Sequence, residues 1–430
     1  MKIGFASLPL SGHLNPMTAL ARRMQSRGHE VVFIGVPDVE PVALAAGLKF
    51  VSVCEKEYPA GSTAQIWGGV AKLRGADVIR YTYERLMPDF IRASLENLQQ
   101  RLEETGVDAM VFDTGCRYLE LVPMRMGMPY AQVWNILPYD VSGSTPLCIF
   151  SLPYETTPEA RVRNLEALKT FGQFRVPLLA VAKSYAEGVG LEIDWSDPGA
   201  TTSKLAVVAQ TPKEFDFPNI EWPSQFHYAG PFHDNEGREP IPFPWEKLDG
   251  RPLVYASLGT LVNGLEQVYQ VILEAVEKFP EIQVVLSVGK NVDPDDLGSI
   301  PANTMVVRSA PQIELLKRAE LCITHAGLNT ALESLAEGVP MVAIPIAYDQ
   351  PGVAARIAYH GVGEFMDFED LTAERLTSLI RTVRENPSYR EKARSMQKVI
   401  ARTRGLDTAA QAIEEAFQRS AAERAEAVAR

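Results

Sequence analysis

The densest set of chemistry-bearing residues in the chain lies between His325 and Gln350: His325-Ala326-Gly327-Leu328-Asn329-Thr330, then Glu333, Gly338-Val339-Pro340 and Asp349-Gln350. An apolar run, Leu321–Thr324, precedes it, and a helical pattern, Asn329–Glu337, follows, so the segment reads as strand, small-residue turn and helix start. A helix start presents unsatisfied N–H groups and the positive end of the helix dipole. The natural occupant of the turn is therefore an anion, and a pyrophosphate has the right size. Gly327 carries no side chain, which leaves the main chain open to close approach by a ligand. Glu333, about one helical turn on, can accept from two hydroxyls of a ribose. Asp349 and Gln350 offer an acceptor and an amide suited to sugar hydroxyls. A helix cap explains Asn329 or Thr330 taken singly, but not the whole set.

A second constellation suits proton transfer. His13 lies in Ser11-Gly12-His13-Leu14-Asn15-Pro16, between an apolar run at Ile3–Ala6 and a helical pattern at Asn15–Arg27. A helix start disfavours the charged imidazolium, which predicts a neutral ring able to accept a proton. Asp113 follows the apolar run Ala109–Phe112 and should emerge at the same strand ends, where a carboxylate can orient the ring and stabilise its charged form. His29, His227, His233 and His360 have no comparable context. Asp293-Pro294-Asp295-Asp296 reads as a solvated turn rather than a metal site.

The elements that must position these groups alternate as parallel βαβ units. Asn15 suits the N-cap, Pro16 the first helical position and Gly28 the C-terminal stop of the first helix. Further strands are expected at Val31–Ile34, Tyr130–Val133 and Leu205–Ala209, and a helix over Phe90–Thr105. Gly230-Pro231 opens a stretch carrying Pro240, Pro242, Pro244 and Pro252 among charges, which reads as a linker. Beyond it the alternation restarts with strand Leu253–Ser257, helix Glu266–Lys278 and strands Gln283–Ser287, Met305–Val307 and Met341–Ile344. The expected architecture is α/β, with two Rossmann-like domains facing across a cleft. Ligands in such sheets bind outside the carboxyl ends of the strands.

Bulk properties narrow the function. With 430 residues the chain should form two domains. A net charge of −12 argues against a nucleic-acid binder, which needs a basic face. Cys54, Cys116, Cys148 and Cys322 are widely spaced and read as buried free thiols. The apolar start Ile3–Ala6 is broken by Ser11-Gly12-His13 and reads as a first strand, not a signal peptide. No window approaches the ~18 apolar residues of a membrane span, so a cytoplasmic location is expected. No GxGxxG follows the first strand, which argues against a nicotinamide enzyme.

The His325–Gln350 pattern resembles the donor signature of the UDP-glycosyltransferase superfamily, which includes plant secondary-product, macrolide and carotenoid glycosyltransferases. The likeness extends to Ala310-Pro311-Gln312 and Ser257-Leu258-Gly259-Thr260 and is strongest toward bacterial zeaxanthin and macrolide enzymes. It implies the fold called GT-B, with Pro311 and Gln312 at the nucleobase, Gly259 and Thr260 at the diphosphate with His325, Gly327, Asn329 and Thr330, Glu333 at the ribose, and Asp349 and Gln350 at the sugar. It also places the catalytic base at His13 and its partner at Asp113. Where plant members carry a base-stacking Trp, this chain has Ser309, which leaves uracil and thymine both open.

The resulting expectation is a domain at 1–230 for the acceptor, a linker at 231–252, a donor domain at 253–405, and a C-terminal helix at 406–430 returning to the first domain. The expected function is inverting transfer of a hexose, glucose foremost, from a UDP-sugar to a hydroxyl of a lipophilic small molecule of carotenoid, flavonoid or polyketide type. No metal or other cofactor is expected, and peripheral membrane contact would follow if the acceptor were a membrane lipid or carotenoid. Trp67, Met87, Trp134, Tyr139 and Phe150 are the acceptor-pocket candidates. The alternatives are a non-catalytic sugar-nucleotide binder or activator, and an epimerase of the same fold.

Overall fold

The computed structural model describes residues 1–234 and 240–429. Residues 235–239, inside the expected linker, and residue 430 lie outside the described residues. Among the described residues two fully parallel sheets form. The first has the order β3-β2-β1-β4-β5-β6-β7, built from Lys49–Ser52 (β3), Glu30–Gly35 (β2), Lys2–Ala6 (β1), Ala109–Asp113 (β4), Tyr130–Trp134 (β5), Ala206–Ala209 (β6) and Phe226–Tyr228 (β7). The second has the order β10-β9-β8-β11-β12-β13, from Thr304–Val307 (β10), Gln283–Ser287 (β9), Leu253–Ser257 (β8), Ala319–Thr324 (β11), Met341–Ala343 (β12) and Gly363–Phe365 (β13). Helices cover the faces of both sheets, so the central strands are apolar on both sides. All five residues of β4 and of β8 are buried.

Strands β3, β7 and β13 escaped the sequence reading. They are short edge or near-edge strands whose residues are mostly only partly buried, so they lack the continuous apolar runs that mark the central strands. The first helix also differs. It runs Ser11–Ser26 rather than from Asn15, with Leu10 at its N-cap, so Pro16 lies inside it instead of at its first position. Proline has no N–H to give the carbonyl four residues back. The carbonyl of Gly12 therefore loses its helical partner, with a consequence in the cleft described below.

Two chain crossings join the sheets, and they touch each other. A Cβ placed on Gly405 would fall 2.2 Å from the carbonyl oxygen of Pro231, and one on Gly230 would fall 2.5 Å from the side chain of Thr403. Past Gly405 the final helix, Gly405–Ala429, returns to the first domain. Ala409, Ala410, Ile413, Ala416 and Phe417 enter the first domain's apolar cluster with no measurable exposure. Glu414 on the same helix meets Arg27 and His29 of the first domain.

The domains also meet along the cleft. Val70 and Val78 of the first domain sit in the second domain's core. The main chain there is paired, Gly75 N–H to the Ile346 carbonyl at 2.8 Å and Gly264 N–H to the Ala71 carbonyl at 2.9 Å. Deeper in, the Arg356 guanidinium donates twice to Asp216 Oδ1, at 2.9 and 2.6 Å, and lies over the Phe217 ring. This ion pair crosses between domains and is almost wholly buried.

Candidate active site

His13 stands in the first turn of the Ser11–Ser26 helix, at the carboxyl end of β1, and Asp113 is the last residue of neighbouring β4. Adjacent parallel strands thus bring together residues separated by 100 positions. His13 Nδ1 lies 2.8 Å from Asp113 Oδ2. The same carboxylate accepts from Ser7 Oγ and from the main-chain N–H groups of Leu8 and Gly115. An acceptor-only carboxylate with these donors is ionised, so Nδ1 of His13 carries the hydrogen and Nε2 is left to take a proton.

Burial alone would disfavour the charged ring, but the Asp113 charge and hydrogen bond outweigh it, with Asp349 adding to them, and hold the His13 pKa above its ordinary value. The direction is opposite to the lowering expected from the helix start, because a contacting carboxylate acts more strongly than the end of a helix dipole. Asp113 itself is held below the carboxylate range: burial opposes this, and the His13 charge with its hydrogen bond prevails.

On the facing side, the Leu328–Ala336 helix follows β11 through His325, Ala326 and Gly327. The imidazole of His325 is clamped between two glycines. A Cβ on Gly259 or on Gly327 would lie 2.6 Å from ring atoms. Gly327 is therefore small because His325 needs the room, a reason additional to close approach by a ligand. Burial pulls the His325 pKa down to about 4, so the ring is neutral at pH 7 and can offer a hydrogen bond but no charge. Thr260 is exposed beside it.

Gln312, at the start of the Gln312–Leu316 helix that Pro311 precedes, donates to Glu333 Oε2 at 2.5 Å and to Thr330 Oγ1 at 3.3 Å. Its carbonyl oxygen accepts from the Tyr255 hydroxyl. A cavity of about 170 Å³ opens against Glu333, lined also by His233, Ile313, Ala336 and Glu337. His233 was not legible as a site residue; its one signal is its place just past the Gly230-Pro231 crossing.

Asn329 reaches across the cleft. Its Nδ2 donates to the Gly12 carbonyl at 2.8 Å, and its Oδ1 accepts from Gln210 Nε2 at 2.9 Å. Gln210 carries no signal in the sequence; it follows β6 at the same strand ends and also donates to the Asn135 carbonyl. Asp349 accepts the Leu137 N–H through Oδ2 at 2.8 Å, and the Gln350 carbonyl oxygen accepts from Ile346 and Ala347 N–H groups. These bonds fix one polar atom of each side chain. Burial raises the Asp349 pKa, against the Leu137 N–H and nearby His13.

The acceptor-pocket candidates divide. Trp67 and Met87 are packed in the first domain's apolar cluster at 5% and 2% exposure, which corrects them to core residues. Trp134 and Tyr139 meet edge to face at 5.1 Å, Tyr139 meets Phe171 at 6.0 Å, and Phe150 packs on the same cluster. The Asp293–Asp296 segment is a turn in which Asp293 accepts the Asp295 N–H and pairs with Arg308.

A family model described as UDP-glucoronosyl and UDP-glucosyl transferase matches residues 192–422, more than half of the 430. The chain belongs to that family. It is a glycosyltransferase that draws on a nucleotide-sugar donor, which sets aside the epimerase and the non-catalytic binder. The transferase is 27% identical over 409 residues to a zeaxanthin glucosyltransferase of Pantoea ananas, covering 95% of this chain and 94% of that one. It is 26% identical to a demethyllactenocin mycarosyltransferase of Streptomyces fradiae, covering 96% and 86%. Among solved structures, the kitacinnamycin glycotransferase superposes with a TM-score of 0.73 at 23% identity, covering 96% of this transferase and 98% of that chain. VinC, solved with dTDP, superposes at 0.71 and 19% identity, covering 97% and 100%. These likenesses confirm the GT-B fold of two Rossmann-like domains. Among the described residues, no helix is long and apolar enough to cross a membrane.

Proposed function

We propose that this transferase moves a hexose, glucose foremost, from a UDP-sugar to a hydroxyl of a lipophilic small molecule, with inversion at the anomeric carbon. The observation that carries the reading is the His13–Asp113 pair at 2.8 Å, one residue from the Gly12 carbonyl that Asn329 holds from the donor side. His13 Nε2 takes the acceptor's hydroxyl proton as its oxygen attacks the anomeric carbon from the face opposite the nucleotide. The carbon–oxygen bond to the diphosphate breaks, and the bonding pair leaves with the diphosphate. Its charge meets the N–H groups at the start of the Leu328–Ala336 helix, with hydrogen bonds from His325 and Thr260. The proton stays on His13 as an imidazolium that Asp113 stabilises. In this reading Gln312 and Glu333 hold base and ribose, and the step takes no metal.

Similarity to a zeaxanthin glucosyltransferase supports glucose and a lipophilic acceptor. The dTDP-bound VinC keeps thymidine as the competing nucleotide. Incubation with UDP-glucose or dTDP-glucose and a panel of lipophilic alcohols, read by mass, tests the whole. A hexose added from UDP-glucose to at least one alcohol is expected. Transfer from dTDP-glucose alone would change the nucleotide, and turnover abolished by EDTA would remove the metal-free step.

A further inference from the structure

Next to Trp134 and Tyr139, two of the acceptor-pocket candidates, is a group of hydrogen-bond donors that has no charged acceptor among the described residues. Arg175 sits half-buried at the junction of helices Pro158–Phe174 and Val176–Gly188. Its guanidinium lies over the face of Phe171 and, among the described residues, donates to two phenol oxygens, Tyr139 at 3.5 Å and Tyr118 at 3.4 Å. Both bonds are long, both partners are hydroxyls, and no carboxylate among the described residues pairs with Arg175. Because Tyr118 and Tyr139 accept from Arg175, their own O–H hydrogens point elsewhere, and no described residue receives them. Tyr83 packs edge to face on the same Phe171. Burial pushes its phenol up to about 12, so it too stays a protonated donor.

The place of this group ties it to the reaction. Tyr118 lies in the loop that begins at Asp113, and it is held at φ 82°, a conformation that costs a bulky side chain free energy. Tyr139 contacts Trp134 at the end of β5. Thr82, next to Tyr83, hydrogen-bonds the hydroxyl of Tyr348, the neighbour of Asp349. The donors thus stand between the catalytic loop and the sugar-facing turn. A cation kept among aromatic rings without a counter-ion is costly unless a ligand brings one.

We propose that the acceptor carries a carboxylate, besides the hydroxyl that is glycosylated, and that Arg175 with Tyr118 and Tyr139 holds that carboxylate against the aromatic wall. This rests on the transferase reading above and adds the substrate class. A guanidinium and two phenol hydrogens match a carboxylate's two oxygens, and the flat rings of Phe171 and Trp134 suit an aromatic acid.

The test compares a hydroxyanthraquinone carboxylic acid with its methyl ester as acceptors for UDP-glucose, with wild type, Arg175→Gln and Arg175→Lys. Wild type should favour the acid by about tenfold or more in kcat/KM, as sites built around a polar group do. Arg175→Gln should lose that preference through a higher KM for the acid, with the ester affected less, and an unchanged circular dichroism spectrum and Tm show that the variant folds. Arg175→Lys should restore part of it. Equal kcat/KM for acid and ester in wild type, or a preference that survives Arg175→Gln, would overturn the proposal. If neither compound is glycosylated, the proposed UDP-glucose donor or the polycyclic acceptor scaffold is what has failed. The carboxylate site is then judged by binding alone, from quenching of tryptophan fluorescence. It stands if wild type binds the acid more tightly than the ester and Arg175→Gln does not, and it falls otherwise.

Discussion

Asn329 Nδ2 donates to the main-chain carbonyl of Gly12 across the interdomain cleft, 317 positions apart in sequence. That carbonyl is available because Pro16, four residues on and inside the same helix, has no N–H to claim it. A proline that weakens a helix internally thereby supplies an acceptor to the opposite domain, one residue before His13. Gln210 completes the bridge by donating to Asn329 Oδ1. The side chain that opens the donor helix is thus also the one that registers that helix against the proposed base.

Asn329→Ala should therefore disturb chemistry more than donor binding. Small misplacements of reacting groups cost on the order of 10²-fold in rate. Steady-state kinetics should show kcat falling toward that level, while UDP affinity by calorimetry changes by a few-fold. Gln210→Ala should do the same more mildly. A variant with normal kcat and a large loss of UDP affinity would make Asn329 a donor ligand alone.

His13→Ala should lower transfer by about 10²–10⁴ while UDP binding is retained. The pH dependence follows from the raised pKa of His13. The base works only when neutral, so kcat/KM should rise with pH through an apparent pKa above 6.5. The pair's contribution to stability runs the other way. His13's share is fully present below the unfolded histidine value and is lost as pH rises through the folded one. Asp113's share is present above the unfolded carboxylate value and is lost as pH falls through its depressed folded one. Asp113→Asn removes what raises His13, so the acid limb of the rate profile should move to lower pH as the maximum rate falls. An unmoved limb would show that another group controls it.

Much of this was legible in the sequence where the chemistry is local. His325 to Gln350 is one continuous stretch, and strand ends bring His13 to Asp113 once the alternation of elements is read. What escaped depends on partners distant in sequence. Nothing near Arg356 announces Asp216, 140 positions away, and nothing near Gln210 announces Asn329. Pro16 was read as a helix start because proline favours that position, yet the first turn extends back to Ser11. Trp67 and Met87 are large and apolar, as pocket residues are, but so are core residues, and composition does not distinguish them.

The donor reading predicts ligand-linked stabilisation. UDP at about 100 times its Kd should stabilise the fold by roughly 2.7 kcal/mol, seen as a rise in Tm, with little effect from NAD or AMP. Glu333→Ala should reduce the response by removing the ribose acceptor and the partner of Gln312. A rise with dTDP larger than with UDP would reassign the base; no rise with either would end the donor assignment.

Arg356→Ala should be strongly destabilising. It leaves Asp216 buried without its cation, with the Phe217 N–H and the Tyr228 hydroxyl as its remaining donors among the described residues. Removing one member of a buried pair costs about 3–5 kcal/mol. Urea unfolding followed by circular dichroism measures this, and a loss under 1 kcal/mol would mean that water reaches the site.

The final helix can be cut at two places with different outcomes. Ala409, Ile413, Ala416 and Phe417 recur at the spacing of one helical face, and that face is sealed into the first domain's core. Glu414 adds pairs to Arg27 and His29, and these hold its carboxyl below the usual range against partial burial. Residues 421–426, by contrast, are exposed. Truncation after Ser420 should leave solubility, Tm and turnover near wild type, because the described side chains that it removes are all exposed. Truncation after Gly405 uncovers the face of the first sheet that the helix occupies, and should give insoluble or inactive protein. Phe417→Ala is the graded version, with an expected loss of about 3–5 kcal/mol for a fully buried ring. Full activity and an unchanged Tm after removal of residues 406–430 would show that the helix is not part of the folding unit.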